Sequence, residues 1–273
     1  MEITARANAT AERGKQYSLG RILGIWALAA VPMGILGWIV FPALAPDSES
    51  DPLGAGVIRI VLLTVGLIWM FVLSLIIIRQ EEGNLRWATV KRRLRLNAPR
   101  DPRTGETRRR LWLWVAAFVI GVAVWQMLLA PSVNRLWVSV FPFFAEPTGY
   151  SMGAVFQSQE ILDRLVGSWW FLGLYVVNTI FNTILGEEFL FRGVLLPKME
   201  GVFGKWSWVA NGLLFGFYHL HQPWGIVGSI VSGAFFYAFP SWHFRTTWMG
   251  VIVHSAQNVY ITFLILGVVL GLA

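Results

Sequence analysis

The sequence predicts an all-α fold, a polytopic transmembrane helical bundle of about seven spans. Of its 273 residues, 56% are hydrophobic and 14% are charged, whereas an ordinary soluble domain carries about 25% charged residues. The chain contains 15 Trp and 19 Phe residues, which is typical of aromatic belts at the two lipid–water interfaces. Cysteine is absent, so disulfides, thiolate metal sites and cysteine nucleophiles are excluded.

Each predicted span approaches the roughly 20 apolar residues that a helix needs to cross the hydrocarbon core. The first contains Pro32, which a transmembrane helix tolerates as a kink, and it is longer than the core of a signal peptide, so we expect an uncleaved anchor. The spans are residues 22–41, 60–78, 111–130, 169–196, 206–220, 226–239 and 248–272. Residues 133–144 are apolar but short, and we expect them to form an interfacial eighth element.

The segment 79–110 is a strongly basic loop between two spans. It holds eleven of the 22 Lys and Arg residues against four acids, a surplus equal to the whole net charge of +7. Under the positive-inside rule such a loop is cytoplasmic. Four of its cations form a cluster suited to anionic lipid headgroups: Lys91, Arg92, Arg93 and Arg95. Membrane lipid is therefore an expected partner, and nucleic acid is not.

The charges that flank the other spans agree with this orientation. The cytoplasmic residues are then Arg6, Arg13, Lys15, Arg21, Lys198, Lys205 and Arg245, and the external residues are Asp47, Glu49 and Asp51. We divide the chain into an accessory part at 1–130, an extracytoplasmic or interfacial connector at 131–168, and a four-span catalytic part at 169–273.

Three of the seven formal charges in residues 169–273 lie together inside one predicted span: Glu187, Glu188 and Arg192. A charged side chain at the bilayer centre costs about 2.5–3.5 kcal/mol on insertion scales, so such a group indicates function. Glu188 and Arg192 are four residues apart and can pair along one helix face. Glu187 points about 100° away and stays available as a general base or acid. The alternative is that both acids neutralise Arg192 and a neighbouring donor.

Two of the four histidines, His219 and His254, lie within predicted spans. His254 and Asn258 are four residues apart, so an imidazole and an amide donor share one face, as an oxyanion hole requires. Phe215, one turn before His219, is expected to pack beside it. The alternative is that each histidine makes only an interhelical hydrogen bond. The other two histidines are expected at the interface: His221 and His243.

Small residues in the segment 225–234 predict a close approach of neighbouring helices, which favours convergence of these polar groups. On the predicted boundaries, however, Glu187 and His254 lie toward the cytoplasmic ends of their spans, and His219 lies toward the outer end of its own. Their convergence is therefore a hypothesis.

The residue types leave the role of a metal open. Two His and one Glu form a known catalytic zinc set, so Glu187, His219 and His254 are candidate ligands for a divalent metal such as Zn. Equally, Glu187 alone can activate the water. The sequence contains no H-E-x-x-H pair, P-loop or G-x-S-x-G elbow.

Three motifs on successive predicted helices resemble those of the CPBP intramembrane protease family: Glu-Glu-x-x-x-Arg, Phe-x-x-x-His and His-x-x-x-Asn. This family joins CAAX prenyl protease 2 of eukaryotes to bacterial and archaeal relatives once labelled abortive-infection or bacteriocin-immunity proteins. The resemblance covers about residues 165–262. It implies a protease of the prokaryotic plasma membrane that acts on a membrane-associated peptide or a lipidated, CAAX-type prenylated protein.

The resemblance also implies a role for each motif residue. Glu187 and His219 would polarise the attacking water, and His254 and Asn258 would stabilise the oxyanion. Glu188 and Arg192 would support the site. The family is often called a metalloprotease family, yet a metal-free glutamate mechanism has been proposed for it as well.

We therefore expect an intramembrane endopeptidase. Two other classes of protein remain as alternatives. A non-catalytic membrane scaffold or bacteriocin-immunity protein would keep the same fold without cleavage. A small transporter or proton relay would use Glu187 and the histidines along a path through the membrane, although the sequence shows no inverted repeat.

Overall fold

A computed structural model describes residues 16–45, 48–151, 153, 156 and 158–272. Within these ranges the regular structure is helical, and the only β pairing is an isolated bridge between Arg100 and Thr107. Six helices are long and apolar enough to cross a membrane, and a shorter helix, α5, lies fifth in the chain. They are α1 (Leu19–Leu44), α2 (Pro52–Glu82), α3 (Arg109–Val140), α4 (Trp169–Lys198), α5 (Ser207–Tyr218), α6 (Pro223–His243) and α7 (Thr247–Val269). The predicted all-α helical bundle is confirmed.

Capping residues explain why several helices begin outside the apolar stretches. The Asp51 carboxylate accepts a hydrogen bond from the backbone N–H of Gly54 (3.2 Å), and Pro52 occupies the first turn, so α2 begins well before residue 60. Gly83, with φ of 73°, ends α2 in the left-handed conformation that favours glycine. Shorter helices lie in the connecting segments: Trp87–Arg93, Gln159–Leu165 and Glu200–Phe203.

α5 is shorter than the span predicted at 206–220. It has 12 helical residues, and the chain then turns through the 3-10 segment His219–His221 before Pro223 begins α6. Among the residues with described structure, six rather than seven helices therefore have the length of a membrane span.

The path of the chain nevertheless follows the prediction, because α5 connects the two ends of the bundle. The residue Gly201, before α5, donates to the side chain of Gln16, before α1 (3.1 Å). After α5, the carbonyl oxygen of Leu220 accepts from the Trp38 indole, near the other end of α1 (2.8 Å).

α3 continues past residue 130, where the third span was predicted to end. A π-helical turn at Trp125–Leu129 leads into an α-helical segment at Ala130–Val140. Pro131 fits in the first turn of that segment, where backbone N–H groups lack intrahelical partners. The residues 133–140 therefore continue α3 and do not form an eighth span, and only Pro142–Phe144 forms a turn of its own. The interfacial depth expected for 133–144 stays a prediction.

The largest apolar core joins the accessory helices to the helices that carry the polar motifs. It includes Met33 of α1, Met70 of α2, Phe191 of α4, Phe215 of α5 and Val253 of α7. α1 and α2 thus form one wall of the core that supports the motif residues.

Glycines allow α5 and α6 to approach each other closely. A Cβ atom added at Gly212 of α5 would overlap the backbone of Ala234 in α6, and one added at Gly233 would lie 2.6 Å from the Phe215 ring. The predicted close packing around the small residues 225–234 is confirmed.

Most of the described Lys and Arg residues lie at one end of the bundle, which we call the basic end (residues 16–21, 79–110, 198–206 and 242–247). There the N–H of Tyr17 donates to the carbonyl oxygen of Lys198 (3.0 Å), and the N–H of Thr247 donates to that of Arg95 (3.1 Å). The predicted grouping of the loop with Arg21, Lys198, Lys205 and Arg245 is therefore confirmed. Four residues of the orientation argument lie outside the described residues: Arg6, Arg13, Lys15 and Asp47.

Arg93 departs from the predicted lipid-facing cluster. Lys91 and Arg92 are exposed, but Arg93 is buried because its guanidinium pairs with Glu81 (2.8 Å). The prediction that Arg93 faces lipid headgroups is wrong.

Candidate active site

The four residues predicted to carry the chemistry line a single cavity. The cavity has a volume of about 230 Å³. Glu187 reaches it from α4, His219 from the turn after α5, and His254 and Asn258 from α7. Side chains that are distant along the chain therefore meet, as the hypothesis of convergence required.

Glu187 lies between the two imidazoles. Its Oε1 is 3.9 Å from His219 Nε2, and its Oε2 is 3.9 Å from His254 Nε2. The residue is only 2% exposed. Both distances exceed a direct hydrogen bond of about 2.7–3.2 Å and suit a gap bridged by one water molecule. The expected difference in depth is absent because α5 ends at Tyr218, which leaves His219 inside the bundle.

Hydrogen bonds on the far side of each ring fix the orientation of both imidazoles. His219 Nδ1 donates to the carbonyl oxygen of Phe215 (2.8 Å), and His254 Nδ1 donates to Glu188 Oε1 (3.0 Å). Carbonyl and carboxylate oxygens only accept, so each Nδ1 carries a proton. A proton at Nδ1 leaves the Nε2 atom of a neutral ring as an acceptor toward Glu187, and a second proton at Nε2 makes that atom a donor.

Glu188 and Arg192 form the predicted pair along α4. Arg192 NH1 lies 3.1 Å from Glu188 Oε1, and both side chains are fully buried. Arg192 also donates to the carbonyl oxygen of Gly233 (3.1 Å), and its guanidinium lies 4.2 Å from the centre of the Phe215 ring. These contacts offset the desolvation of two buried charges. Glu187 faces the histidines, so the structure does not favour the alternative in which both acids neutralise Arg192.

The Phe215 ring packs edge-on against His219, with ring centres 4.7 Å apart. The predicted contact between these two side chains is confirmed. Tyr237 stacks on His254 at 4.4 Å and 16°. Tyr237 was not predicted, because a tyrosine in an apolar segment resembles ordinary core packing.

The Asn258 carboxamide is oriented by α4. The Tyr175 hydroxyl donates to Asn258 Oδ1 (3.3 Å), so the Nδ2 donor is left for the cavity. Tyr175 was also missed, because the contact depends on how α4 and α7 pack.

Asn182 reaches the cavity because α4 is not a regular α-helix. The π-helical segments Phe181–Gly186 and Phe189–Leu195 lie on either side of Glu187 and Glu188. In an α-helix, side chains five residues apart point about 140° apart. The wider i→i+5 turn brings Asn182 and Glu187 to the same side, and such turns are frequent at functional sites.

His221 is buried inside the protein, and its expected place at the membrane interface stays a prediction. It is 3% exposed, and its ring stacks on that of His219 with centres 5.5 Å apart. The 3-10 turn that follows α5 folds His221 inward against Gly37 of α1, where an added Cβ would lie 3.0 Å from the His221 Cβ. His243 lies at the basic end, where it lines an open cleft of about 790 Å³.

The donor types of Glu187, His219 and His254 suit zinc, but two of their spacings in this structure are wider than those around a tetrahedral zinc ion. Two ligands of a tetrahedral zinc ion, each about 2.0–2.1 Å from it, are about 3.3 Å apart. Both Nε2–Oε distances are 3.9 Å. Across the part of the chain that the structure describes, no group of three His, Cys, Asp or Glu side chains is arranged to hold a metal.

The fold and the cavity define a class of protein: a polytopic helical membrane protein with a carboxylate, two imidazoles and an amide around one cavity between its helices. Residues 168–260 match the model of a protein family described as type II CAAX prenyl endopeptidase, Rce1-like. This match to a family of proteases confirms the resemblance that the motifs predict. It covers α4 to α6 and part of α7. No curated protein and no solved structure matches the chain.

Proposed function

We propose that the chain is an intramembrane endopeptidase that hydrolyses a peptide bond in the cavity around Glu187. The observation that carries the proposal is the position of this carboxylate, whose two oxygens each lie 3.9 Å from an imidazole Nε2. A buried carboxylate beside the lone pair of His219 Nε2 is suited to hold a water molecule and to remove its proton. The match to an endopeptidase family supports this class of reaction.

Activation of water begins the reaction. A water molecule between Glu187 and His219 donates one hydrogen bond to the carboxylate and one to Nε2. The Phe215 carbonyl oxygen keeps His219 in the tautomer that accepts at Nε2. As the water oxygen attacks the carbonyl carbon of the substrate, Glu187 takes the proton.

Stabilisation of the oxyanion and collapse of the intermediate complete the reaction. Asn258 Nδ2 and a doubly protonated His254 donate to the oxyanion. Glu188, which accepts from His254 Nδ1, balances the charge of that ring. When the C–N bond breaks, Glu187 returns its proton to the leaving nitrogen. The products are a carboxylic acid and an amine, which exchange a proton to give the carboxylate and the ammonium ion.

The proposed substrate is a membrane-associated peptide or lipidated protein, and the family description points to a prenylated CAAX protein. We further propose that the basic end, with the N-terminus, faces the cytoplasm of a prokaryotic plasma membrane. The exposed side chains of Lys91 and Arg92 would then contact anionic lipid headgroups.

The test is cleavage of a fluorogenic peptide that ends in S-farnesylcysteine, two aliphatic residues and methionine, by the full chain in proteoliposomes. The same peptide without the farnesyl group is measured beside it. A positioned general base contributes about 10²–10⁴-fold, so Glu187→Gln should lower kcat/KM by about that factor. His219→Ala and His254→Ala should also abolish most cleavage. Glu160→Gln, which changes an exposed acid of the connector, is the matched control and should retain full activity.

Cleavage of the same bond at the wild-type rate by Glu187→Gln would refute the mechanism. Failure of the wild type to cleave either peptide would instead favour the non-catalytic scaffold, whose function is insensitive to these substitutions.

A further inference from the structure

The cavity carries three carboxamides in addition to Asn258. They are Gln126 of α3, Asn182 of α4 and Gln257 of α7. Among the described residues that line the cavity, Phe215 is the only one whose side chain has no polar atom. The cavity therefore has many hydrogen-bonding groups and little apolar wall.

These carboxamides have unused hydrogen-bonding capacity. Gln126 Nε2 donates to Ser232 Oγ (2.8 Å), but nothing in the described structure donates to its Oε1. The side chains of Asn182 and Gln257 make no hydrogen bond to any described residue. At membrane depth an unsatisfied polar group is strongly unfavourable, so groups of this kind normally serve a polar partner in the cavity.

A peptide backbone is the partner that carboxamides complement best. Each carboxamide offers donors and an acceptor, which match the carbonyl oxygen and the N–H of a peptide group. In a helical substrate those groups bond to each other and are unavailable. Attack on the scissile carbonyl requires an unwound segment, whose freed N–H and C=O groups need new partners away from bulk water.

We propose that Gln126, Asn182 and Gln257 bind the peptide groups on either side of the scissile bond and hold the substrate in an extended conformation. The site then recognises backbone rather than a side chain or an isoprenoid. The prenyl group of a lipidated substrate lies outside this cavity. The inference rests on the proposed function and names what the same site recognises. It also gives α3, which is outside the residues matched by the family model, a direct part in binding substrate.

The test is a double-mutant cycle. One change is made in the backbone of the substrate and the other in a carboxamide side chain of the protein. The farnesylated fluorogenic peptide is made with single ester replacements at the peptide groups next to the scissile bond, which remove one N–H each. A hydrogen bond of ordinary strength corresponds to about three- to tenfold, so at least one ester should lower kcat/KM of the wild type by that factor. The three protein variants are Gln126→Met, Asn182→Leu and Gln257→Met. One of them should remove the acceptor of that N–H, and in this variant the same ester should change kcat/KM by less than about twofold.

A matched control exists one turn earlier on α4. Asn178 Nδ2 donates to Thr64 Oγ1 (2.9 Å) and does not line the cavity. Asn178→Leu should therefore retain the full ester effect. Gln126→Glu keeps the length of the side chain and an accepting oxygen, so it should also retain the full ester effect. If Gln126→Met loses the ester effect and Gln126→Glu keeps it, the loss is due to the missing acceptor and not to misfolding.

Ester effects of equal size in the wild type and in all three variants would overturn the inference. The cycle is repeated as binding, by fluorescence anisotropy of the labelled peptides on the Glu187→Gln protein, which needs no turnover. If the ester and the carboxamide substitution are coupled in binding but the wild type cleaves neither peptide, the proposed function is refuted and backbone recognition is supported. Cleavage without coupling in either measurement would refute backbone recognition alone.

Discussion

Arg93 of the basic loop donates a hydrogen bond to the carbonyl oxygen of Gly193 in α4 (3.1 Å). A second bond from the same guanidinium reaches the carbonyl oxygen of Val194 (3.3 Å). Both carbonyls lie in the π-helical segment that follows Glu187 and Glu188, near the C-terminal end of α4. Cations near a helix C-terminus are stabilising, so a loop residue anchors the helix that carries the proposed base.

Arg93 is itself held by two further groups. It donates to Glu81 (2.8 Å) and to the Tyr17 hydroxyl (2.9 Å), and Tyr17 in turn donates to Glu81 (2.5 Å). Burial raises the pKa of the Tyr17 hydroxyl well above its usual value, although the neighbouring Arg93 opposes the shift. Tyr17 therefore remains a protonated donor throughout the neutral pH range.

Arg93→Met should destabilise the protein strongly. The variant removes the hydrogen bonds to the Gly193 and Val194 carbonyl oxygens, and a buried polar group left unsatisfied costs about 1–3 kcal/mol. Glu81 keeps its pair with Arg21 (2.8 Å). Arg92→Met is the matched control, since the Arg92 side chain is 65% exposed and its pair with Glu82 is worth about 0–1 kcal/mol. Thermal unfolding in detergent measures both. Equal shifts of Tm in the two variants would show that Arg93 anchors nothing.

Tyr175→Phe should lower kcat by about three- to tenfold and leave KM unchanged, because the lost hydrogen bond orients Asn258 for the transition state. Direct removal of the oxyanion donor in Asn258→Leu should cost about 10²–10³-fold in kcat. Steady-state kinetics with the farnesylated peptide measures both effects. The control is Tyr260→Phe, an exposed tyrosine of α7. A change confined to KM would place Tyr175 in substrate binding instead.

Glu188→Gln and Arg192→Met should each destabilise the fold by about 3–5 kcal/mol, because each leaves one buried charge unpaired. The double variant removes both charges and should recover most of the stability. Its activity should stay at least about 10²-fold below wild type, because a neutral amide cannot balance the charge on His254. Unfolding and cleavage are measured on the same samples. Wild-type kcat in the double variant would exclude this role of Glu188.

Removal of divalent metals should leave cleavage unchanged. The spacing of Glu187, His219 and His254 is wider than a zinc ion accepts, so kcat is expected to stay within about twofold after treatment with 1,10-phenanthroline. The metal content of the purified protein is determined by elemental analysis beside the activity. Lost activity that equimolar Zn²⁺ restores would assign these side chains to a metal instead.

The orientation of the basic end can be tested with single cysteines, because the chain has none of its own. Arg103 is exposed in the basic loop, and Phe143, beyond the far end of α3, is 92% exposed. In intact cells a membrane-impermeant maleimide should label Phe143→Cys, and it should label Arg103→Cys only after permeabilisation. The reverse pattern would place the basic end outside the cytoplasm.

The convergence of Glu187, His219 and His254 was predictable because ionisable side chains inside apolar helices are costly and are seldom kept there without a function. The pair of Glu188 and Arg192 followed from helix periodicity alone. Both inferences use only the spacing of residues along the chain and the cost of burying a charge among apolar residues. Both can be judged from the sequence alone.

The remaining features depend on how helices end and pack, which spacing does not encode. The burial of His221 was not predicted because the end of α5 is set by a tight turn and a glycine contact with α1. Gln126 was missed because its part in the site depends on α3 lying against Ser232. Asn182 was missed because no residue pattern marks the π-helical turn that directs it toward Glu187.

That turn gives α4 a property that hydropathy does not register. A π turn encloses one residue more than the α-helical turn it replaces. If the same residues of Phe181–Gly186 formed a regular α-helix, the Asn182 side chain would point about 140° away from that of Glu187 and leave the cavity. A helix of identical composition and hydropathy could therefore cross the membrane without presenting these two polar side chains to one cavity.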